Sequence, residues 1–229
     1  MADAARAAFN KDGSLRAGGG RAVFIAADDA SARSLAEAAT YFAPEIDVIT
    51  LPAWDCLPYD RASPGLRVAA ERLAALSALE AAPKGAQLVV TTINAVTQRT
   101  LPPARIAALT AFIKPGTRID RDALARKLAA NGYVRTDTVV EAGEYAVRGS
   151  LLDLMPAGSG GGDTPWALRL DFFGDEIETV RKFDPATQRT LGSAEGFTLL
   201  PVSEVLLDET RVRNFRTGYL DRFGATATG

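Results

Sequence analysis

The chain has 229 residues, 47% hydrophobic and 24% charged, with a formal net charge of −2, a composition able to bury a sizeable core. It has no histidine and a single cysteine, Cys56; this removes Ser-His-Asp and Cys-His catalysis, histidine-containing or thiolate metal sites, and any internal disulfide. A sequence pI of about 5.4 argues against a sequence-independent DNA clamp, which carries a basic surplus, and no apolar run approaches the roughly 18–20 residues of a membrane span.

Residues 1–20 read as a weakly ordered entry that ends in Gly18-Gly19-Gly20 and has no apolar stretch of secretory type. With the lone cysteine, this suits a reducing, cytoplasmic setting. Ala22–Ala27 is a short continuous apolar run and predicts a buried strand. Asp28 and Asp29 are N-cap types, and the spacing predicts a helix over Ser31–Ala43 with Leu35, Ala38, Ala39 and Phe42 on one face. Ile46–Leu51 predicts a second strand. A loop stiffened by Pro52 and Pro58 follows. Ser63 as N-cap and Pro64 at the first helical position predict the next helix, with Leu66, Ala69, Leu73 and Leu76 along it. Gln87–Ile93 predicts a third strand. Alternating strand and helix over 21–100 implies parallel pairing in an α/β layer.

After Pro102-Pro103 the pattern changes. A short segment of undetermined type ends at Phe112–Gly116. Asp120 caps a helix that runs through Asn131, with Gly132 just past its end. Tyr145–Leu154 and Trp166–Phe173 predict strands joined by the loop at 157–163, and Gly174-Asp175 turns the chain into Glu176–Phe183. This predicts an antiparallel meander packed on one helix. A strand over Phe197–Val205 and a helix over Glu209–Phe223 complete the chain.

Several long strings now acquire meaning together. LPAWDCLPYDRASP (Leu51–Pro64) with ERL (Glu71–Leu73), TTINAVTQRTLPP (Thr91–Pro103), GEYAVRGSLLDLMP (Gly143–Pro156), LRLDFFGDEIETVRKFDPATQRTL (Leu168–Leu191) and LLPVSE (Leu199–Glu204) resemble, in order, the N-terminal UvrB-like region of bacterial transcription-repair coupling factors. The resemblance implies an α/β fold: an incomplete parallel-sheet layer, a degenerate form of the P-loop type, with an inserted α+β antiparallel module. Residues 1–111 correspond to a partial domain 1a, 112–195 to domain 2, the UvrA-binding module, and 196–229 to the start of domain 1b. The family's whole proteins are far longer ATP-dependent DNA translocases whose partners include RNA polymerase and double-stranded DNA, so this chain is expected to be a fragment or truncated product. No G-x-x-x-x-G-K-[ST] string is present, and neither catalysis, a cofactor nor a metal is expected here. Only five residues connect Tyr59 to the Pro64 helix, leaving no room for the DNA-inserting hairpin of UvrB itself.

On Trp166–Phe173 the side chains alternate between two faces. Trp166, Leu168, Leu170 and Phe172 form an apolar face expected to pack on the module's helix; Arg169, Asp171 and Phe173 form the other. A phenylalanine beside Arg and Asp suits an interface hot spot. It also suits an edge phenylalanine covered by the module's own loop, with Arg169 and Asp171 as a cross-strand or solvated pair. Arg148, in the neighbouring strand, reads either as a surface partner of Glu144 or Asp171 or as a forked donor to a partner carboxylate. By resemblance, Arg148, Arg169 and Phe173 match the positions that contact UvrA, and Asp171 joins them in the expected partner-binding set. Between Lys114 and Arg189 eleven Lys/Arg face twelve Asp/Glu, so binding should depend on specific pairs rather than a bulk field. Trp54, Asp55, Tyr59 and Asp60 sit after a strand end, where α/β folds bind ligands; the weightier reading makes the aromatics packing anchors and the aspartates caps, with Cys56 a small buried residue. The expected role is UvrA recruitment. The alternatives are a UvrB-like DNA-binding module, a nucleotide-binding enzyme and a structural, autoinhibitory regulator of the parent translocase.

Overall fold

The computed structural model describes residues 21–57, 61–83, 85–157, 165–206 and 209–224. The glycine run at 18–20, Tyr59, Asp60 and most of the 157–163 loop lie outside them. The fold is mixed α/β.

Its first layer is a parallel sheet in the order β1-β3-β2, built from β1 (Arg21–Ala26), β2 (Asp47–Leu51) and β3 (Gln87–Thr92). β3 lies between the other two and is buried along its whole length, which is why it reads as an unbroken apolar-and-threonine run. Helix α1 (Asp29–Phe42) is capped by Asp28, whose carboxylate accepts from the Ser31 backbone N–H at 2.7 Å. Its sheet-facing stripe is Ala32, Leu35, Ala36 and Ala39, and it continues at Ala43. The expected Phe42 is therefore off the stripe and is 80% exposed, edge-on to Tyr41; a spacing of four residues from Ala39 selects Ala43 instead.

Helix α2 (Leu66–Glu80) begins later than Ser63 and Pro64 predict, and it has no local side-chain cap. The Gly65 N–H instead donates to the Asp55 carboxylate at 3.0 and 3.3 Å. A residue ten positions upstream thus meets an open helix terminus. β3 stops at Thr92, whose hydroxyl caps the short α3 (Ile93–Thr97), so Ile93 is helical. A further helix, α4 (Pro103–Leu109), forms with Pro103 at its first position.

The second half is organised around a six-stranded sheet of β5 (Val134–Arg135), β6 (Glu144–Arg148), β7 (Leu151–Leu154), β8 (Ala167–Phe173), β9 (Glu176–Phe183) and β10 (Thr190–Ser193), ordered β10-β9-β8-β7-β6-β5. Helix α5 (Arg121–Ala130) forms as expected: the Asp120 carboxylate accepts from Ala123 N–H at 2.8 Å, and Gly132 takes φ +88° past the Asn131 cap. β5 (Val134–Arg135) joins the edge in parallel to β6. The single strand expected over Tyr145–Leu154 is instead a hairpin of β6 (Glu144–Arg148) and β7 (Leu151–Leu154), closed by Gly149-Ser150. Gly149 sits at φ +58°, the left-handed conformation that two-residue hairpin turns demand. No atom lies within 4 Å of where its Cβ would be, so Gly149→Ala would meet conformational strain alone. A loss of about 1–2 kcal/mol in urea unfolding is expected; an unchanged midpoint would mean that the turn relaxes freely.

β8 (Ala167–Phe173), β9 (Glu176–Phe183) and β10 (Thr190–Ser193) continue the meander. Leu168, Leu170 and Phe172 of β8 pack with Leu124 and Leu128 of α5, as the alternation predicts, and Trp166 packs alongside them. β4 (Ala111–Ile113) pairs antiparallel with β11 (Phe197–Leu199). The expected extension of β11 to Val205 does not form, because Pro201 has no N–H to continue the ladder. Val202 instead donates its backbone N–H to Asn131 O. Ile113, Phe197, Leu199, Val202 and Ala70 of α2 all belong to the same core as the sheet and α5. Helix α6 spans Glu209–Phe223 as predicted and buries none of its described residues. Among the described residues no helix is long and apolar enough to cross a membrane.

Candidate functional site

The face of the six-stranded sheet turned away from α5 carries the expected site. Register places Arg148 opposite Leu151, Leu151 opposite Asp171, and Asp153 opposite Arg169. Because side chains alternate, Arg148, Asp153, Arg169 and Asp171 emerge on this one face, with Phe173 at the end of β8.

Asp153 is the centre of the cluster, and the sequence reading missed it. It is 1% exposed. Arg169 grips it with two parallel hydrogen bonds, Nε to Oδ1 at 2.7 Å and Nη2 to Oδ2 at 2.8 Å. Arg148 Nη2 donates to the same Oδ2 at 2.5 Å. The forked contact is the strong, orientation-fixing form of an Arg–carboxylate pair. The Arg169 guanidinium also lies 4.6 Å from the centre of the Phe183 ring, stacked on the aromatic face. Its hydrogen bonds to Asp153 hold its pKa above the ordinary guanidinium value. The available signal was the string Leu-Leu-Asp-Leu, a carboxylate inside an apolar strand, which must be paired when buried.

The expected partners are thereby corrected. Arg148 pairs with Asp153, not with Glu144 or Asp171. The Glu144 carboxylate accepts instead from the backbone N–H groups of Val140 and Glu141, each at 2.9 Å. Asp171 does not pair with Arg169; it accepts from the Ser150 hydroxyl at 3.1 Å, and Arg181 Nη2 lies 3.6 Å away. Phe173 is not covered by a loop and is 80% exposed. The register shift at Asp171/Phe172 takes its extra residue from β9, so β8 keeps its alternation: Phe172 enters the core at 6% exposure and Phe173 stands free on the other face.

A second polar cluster, also missed, lies under the loop after β2. Arg72 is fully buried on α2. Its Nε donates to Glu204 Oε1 at 2.5 Å and its Nη1 to the Pro52 carbonyl at 2.6 Å. The Trp54 indole N–H donates to the same Glu204 oxygen at 2.9 Å, and the Trp54 backbone N–H donates to Gln98 Oε1 at 2.9 Å. The guanidinium carbon lies 5.3 Å from the Trp54 ring centre. This cluster joins four separate stretches of chain. Trp54 is therefore the anchor that the weightier reading expected, and Asp55 is a cap; Cys56 is half-buried rather than buried.

A crevice of about 490 Å³ opens at the carboxyl ends of β2 and β3, lined by Asp29, Arg33, Trp54, Asp55, Arg67 and Glu71 among others. Its charges are mixed, and the adjoining α1 terminus is occupied by the carboxylate of Asp28, whose pKa is lowered by the Ser31 hydrogen bonds. That is a poor setting for a phosphate. Among the described residues no group of three or more acidic or sulfur ligands could hold a metal. Burial pushes the Tyr133 hydroxyl pKa upward, and its O–H donates to the Leu200 carbonyl at 3.1 Å, so it is a packing group.

Residues 112–205 match the family model described as the UvrB interaction domain. The chain is 38% identical over 204 residues to the transcription-repair-coupling factor of Escherichia coli, covering 89% of this chain and 17% of that protein. It is 42% identical over 178 residues to the corresponding protein of Haemophilus influenzae, covering 78% of this chain and 15% of the relative. With that of Myxococcus xanthus it shares 40% identity over 200 residues, 83% of this chain and 16% of the relative. The chain thus spans about a sixth of the length of these relatives.

Proposed function

The chain belongs to the family of transcription-repair-coupling factors, and from that premise we propose that it is a UvrA-recruiting interaction module of transcription-coupled nucleotide excision repair. The observation that carries this reading is the exposed end of this sheet face. An uncovered Phe173 stands on the same strand as Arg169, whose guanidinium shares one buried carboxylate with Arg148. An exposed aromatic beside forked cationic donors is the usual make-up of an interface hot spot. We assign Arg148, Arg169, Asp171 and Phe173 to the contact surface, within a module spanning 112–195 that is flanked by a partial domain 1a (1–111) and the start of domain 1b (196–229).

The parallel layer is a degenerate P-loop-type domain in this reading, and the chain itself performs no catalysis. ATP-driven translocation on duplex DNA and RNA polymerase binding belong, in the same reading, to the longer relatives, acting in the cytoplasm. A DNA-binding role finds less support, since the face carries Asp153 and Asp171 among its arginines.

Calorimetric titration of the chain with UvrA tests the proposal. Saturable binding is expected, weakened about tenfold or more by Phe173→Ala and by Arg148→Ala, both of which alter exposed side chains and should retain the native circular dichroism. A well-folded wild-type chain that fails to bind would sink the recruitment reading.

A further inference from the structure

We infer that Asp153 is a positioning residue of this contact surface: its buried carboxylate sets the two guanidinium groups so that one positive charge is left over for a single partner carboxylate. The inference rests on the recruitment reading and deepens it. Two arginines converge on one carboxylate, so the cluster has a surplus of one positive charge. Asp153 occupies Nε and Nη2 of Arg169 and Nη2 of Arg148. Arg148 Nε and Nη1 carry no hydrogen bond among the described residues, and its side chain is 46% exposed. Each of those groups is a separate single donor, because both forked edges of a guanidinium include Nη2, which Asp153 holds. An arginine on a long, mobile side chain loses rotamer freedom when it binds. A carboxylate of its own chain that already holds it removes most of that loss.

The charge count also selects the ligand. Asp171 borders the cluster; it accepts from the Ser150 hydroxyl, and its ion-pair contact with Arg181 is long, at 3.6 Å. A doubly charged phosphate set beside Asp171 and Asp153 would meet two carboxylates. A partner aspartate or glutamate brings one charge, and one of its oxygens accepts from a free Arg148 N–H. Phe173 then supplies the apolar contact beside it.

The test compares the wild-type chain with Asp153→Asn, which keeps the shape and one acceptor but removes the charge. Two readouts are taken. In the 15N-labelled chain without a partner, the Arg169 Nε–H resonance should be resolved and protected from solvent exchange, and Asp153→Asn should broaden it or lose it. In calorimetry with UvrA, Asp153→Asn should weaken binding about tenfold, as hot-spot truncation does. Combined with Arg169→Ala it should add less than about twofold, because the two changes break the same arrangement. Wild-type affinity in Asp153→Asn, or losses that multiply in the double variant, would overturn the inference and leave recruitment standing. Failure of the wild-type chain to bind would remove recruitment and this inference together. If Asp153→Asn does not fold, Arg169→Lys serves in its place: it keeps the charge and loses the two-point grip, and unchanged affinity there would also overturn the inference.

Discussion

Replacing Glu204 by alanine is expected to destabilise the chain by about 3–5 kcal/mol, the range for breaking a buried ion pair by deleting one partner. Arg72 is fully buried and the Glu204 side chain is 6% exposed. Deleting the carboxylate leaves a guanidinium in the core with the Pro52 carbonyl at 2.6 Å and a long contact to Gln98 at 3.2 Å. The Trp54 indole N–H loses its acceptor at the same time. Arg72 Nη2 already lacks a partner, so the cluster has no spare acceptor with which to compensate. Glu204→Gln, which keeps an acceptor for Trp54 but not the charge, should fall between alanine and wild type. Replacing the pair together, as Arg72→Met with Glu204→Leu, should recover much of the loss, because two apolar groups strand no charge. Urea unfolding by circular dichroism measures the stability, and Trp54 fluorescence in a Trp166→Phe background reports the local environment. A Glu204→Ala chain within about 1 kcal/mol of wild type would mean that water reaches Arg72 and that the pair is not buried in solution.

The second large effect is expected at Asp153. Asp153→Ala removes the counter-ion of two arginines at once and sets their positive charges against each other. For a fully buried pair the loss reaches about 3–5 kcal/mol. Here about 3 kcal/mol is expected, because the Arg148 side chain is 46% exposed and Arg169 16%, so solvent screens part of the repulsion. Asp153→Ala combined with Arg169→Met should be more stable than Asp153→Ala alone, since the less exposed of the two charges is gone. The measurement is again the urea midpoint. If the double variant is the weaker of the two, Arg169 is held chiefly by its stacking on Phe183 rather than by Asp153. The same loss explains why the binding test rests on the isosteric asparagine and not on alanine.

Much of the framework was legible from residue order. The caps at Asp28 and Asp120, the β3 run, the β8 alternation and the α6 boundaries all depend on residues within about four positions of each other, where helical and strand periods act directly. Gly149 was visible as a special position, but the turn it makes was not, so one expected strand proved to be two. Phe173 was legible as an oddity on its strand; its freedom from any covering loop was not, because that depends on where distant segments of the chain pack. The family strings were visible as strings. Their meaning lies partly in the Arg72 cluster, where LPAWD, TTINAVTQ, ERL and LLPVSE contribute Pro52 and Trp54, Gln98, Arg72 and Glu204 to one buried network.

The amino-acid sequence by itself determined the alternating α/β first layer, the meander on one helix, the exclusion of histidine chemistry and the family to which the chain belongs. The first three follow from composition or local periodicity, and the family from the resemblance of its motif strings. Only the tertiary structure decided which charges meet. Arg72 and Glu204 are 132 positions apart, and Arg169 chooses Asp153 over the nearby Asp171. Strand register and burial set those pairings, and a carboxylate enclosed in an apolar strand must take whatever cation the neighbouring strand places opposite it.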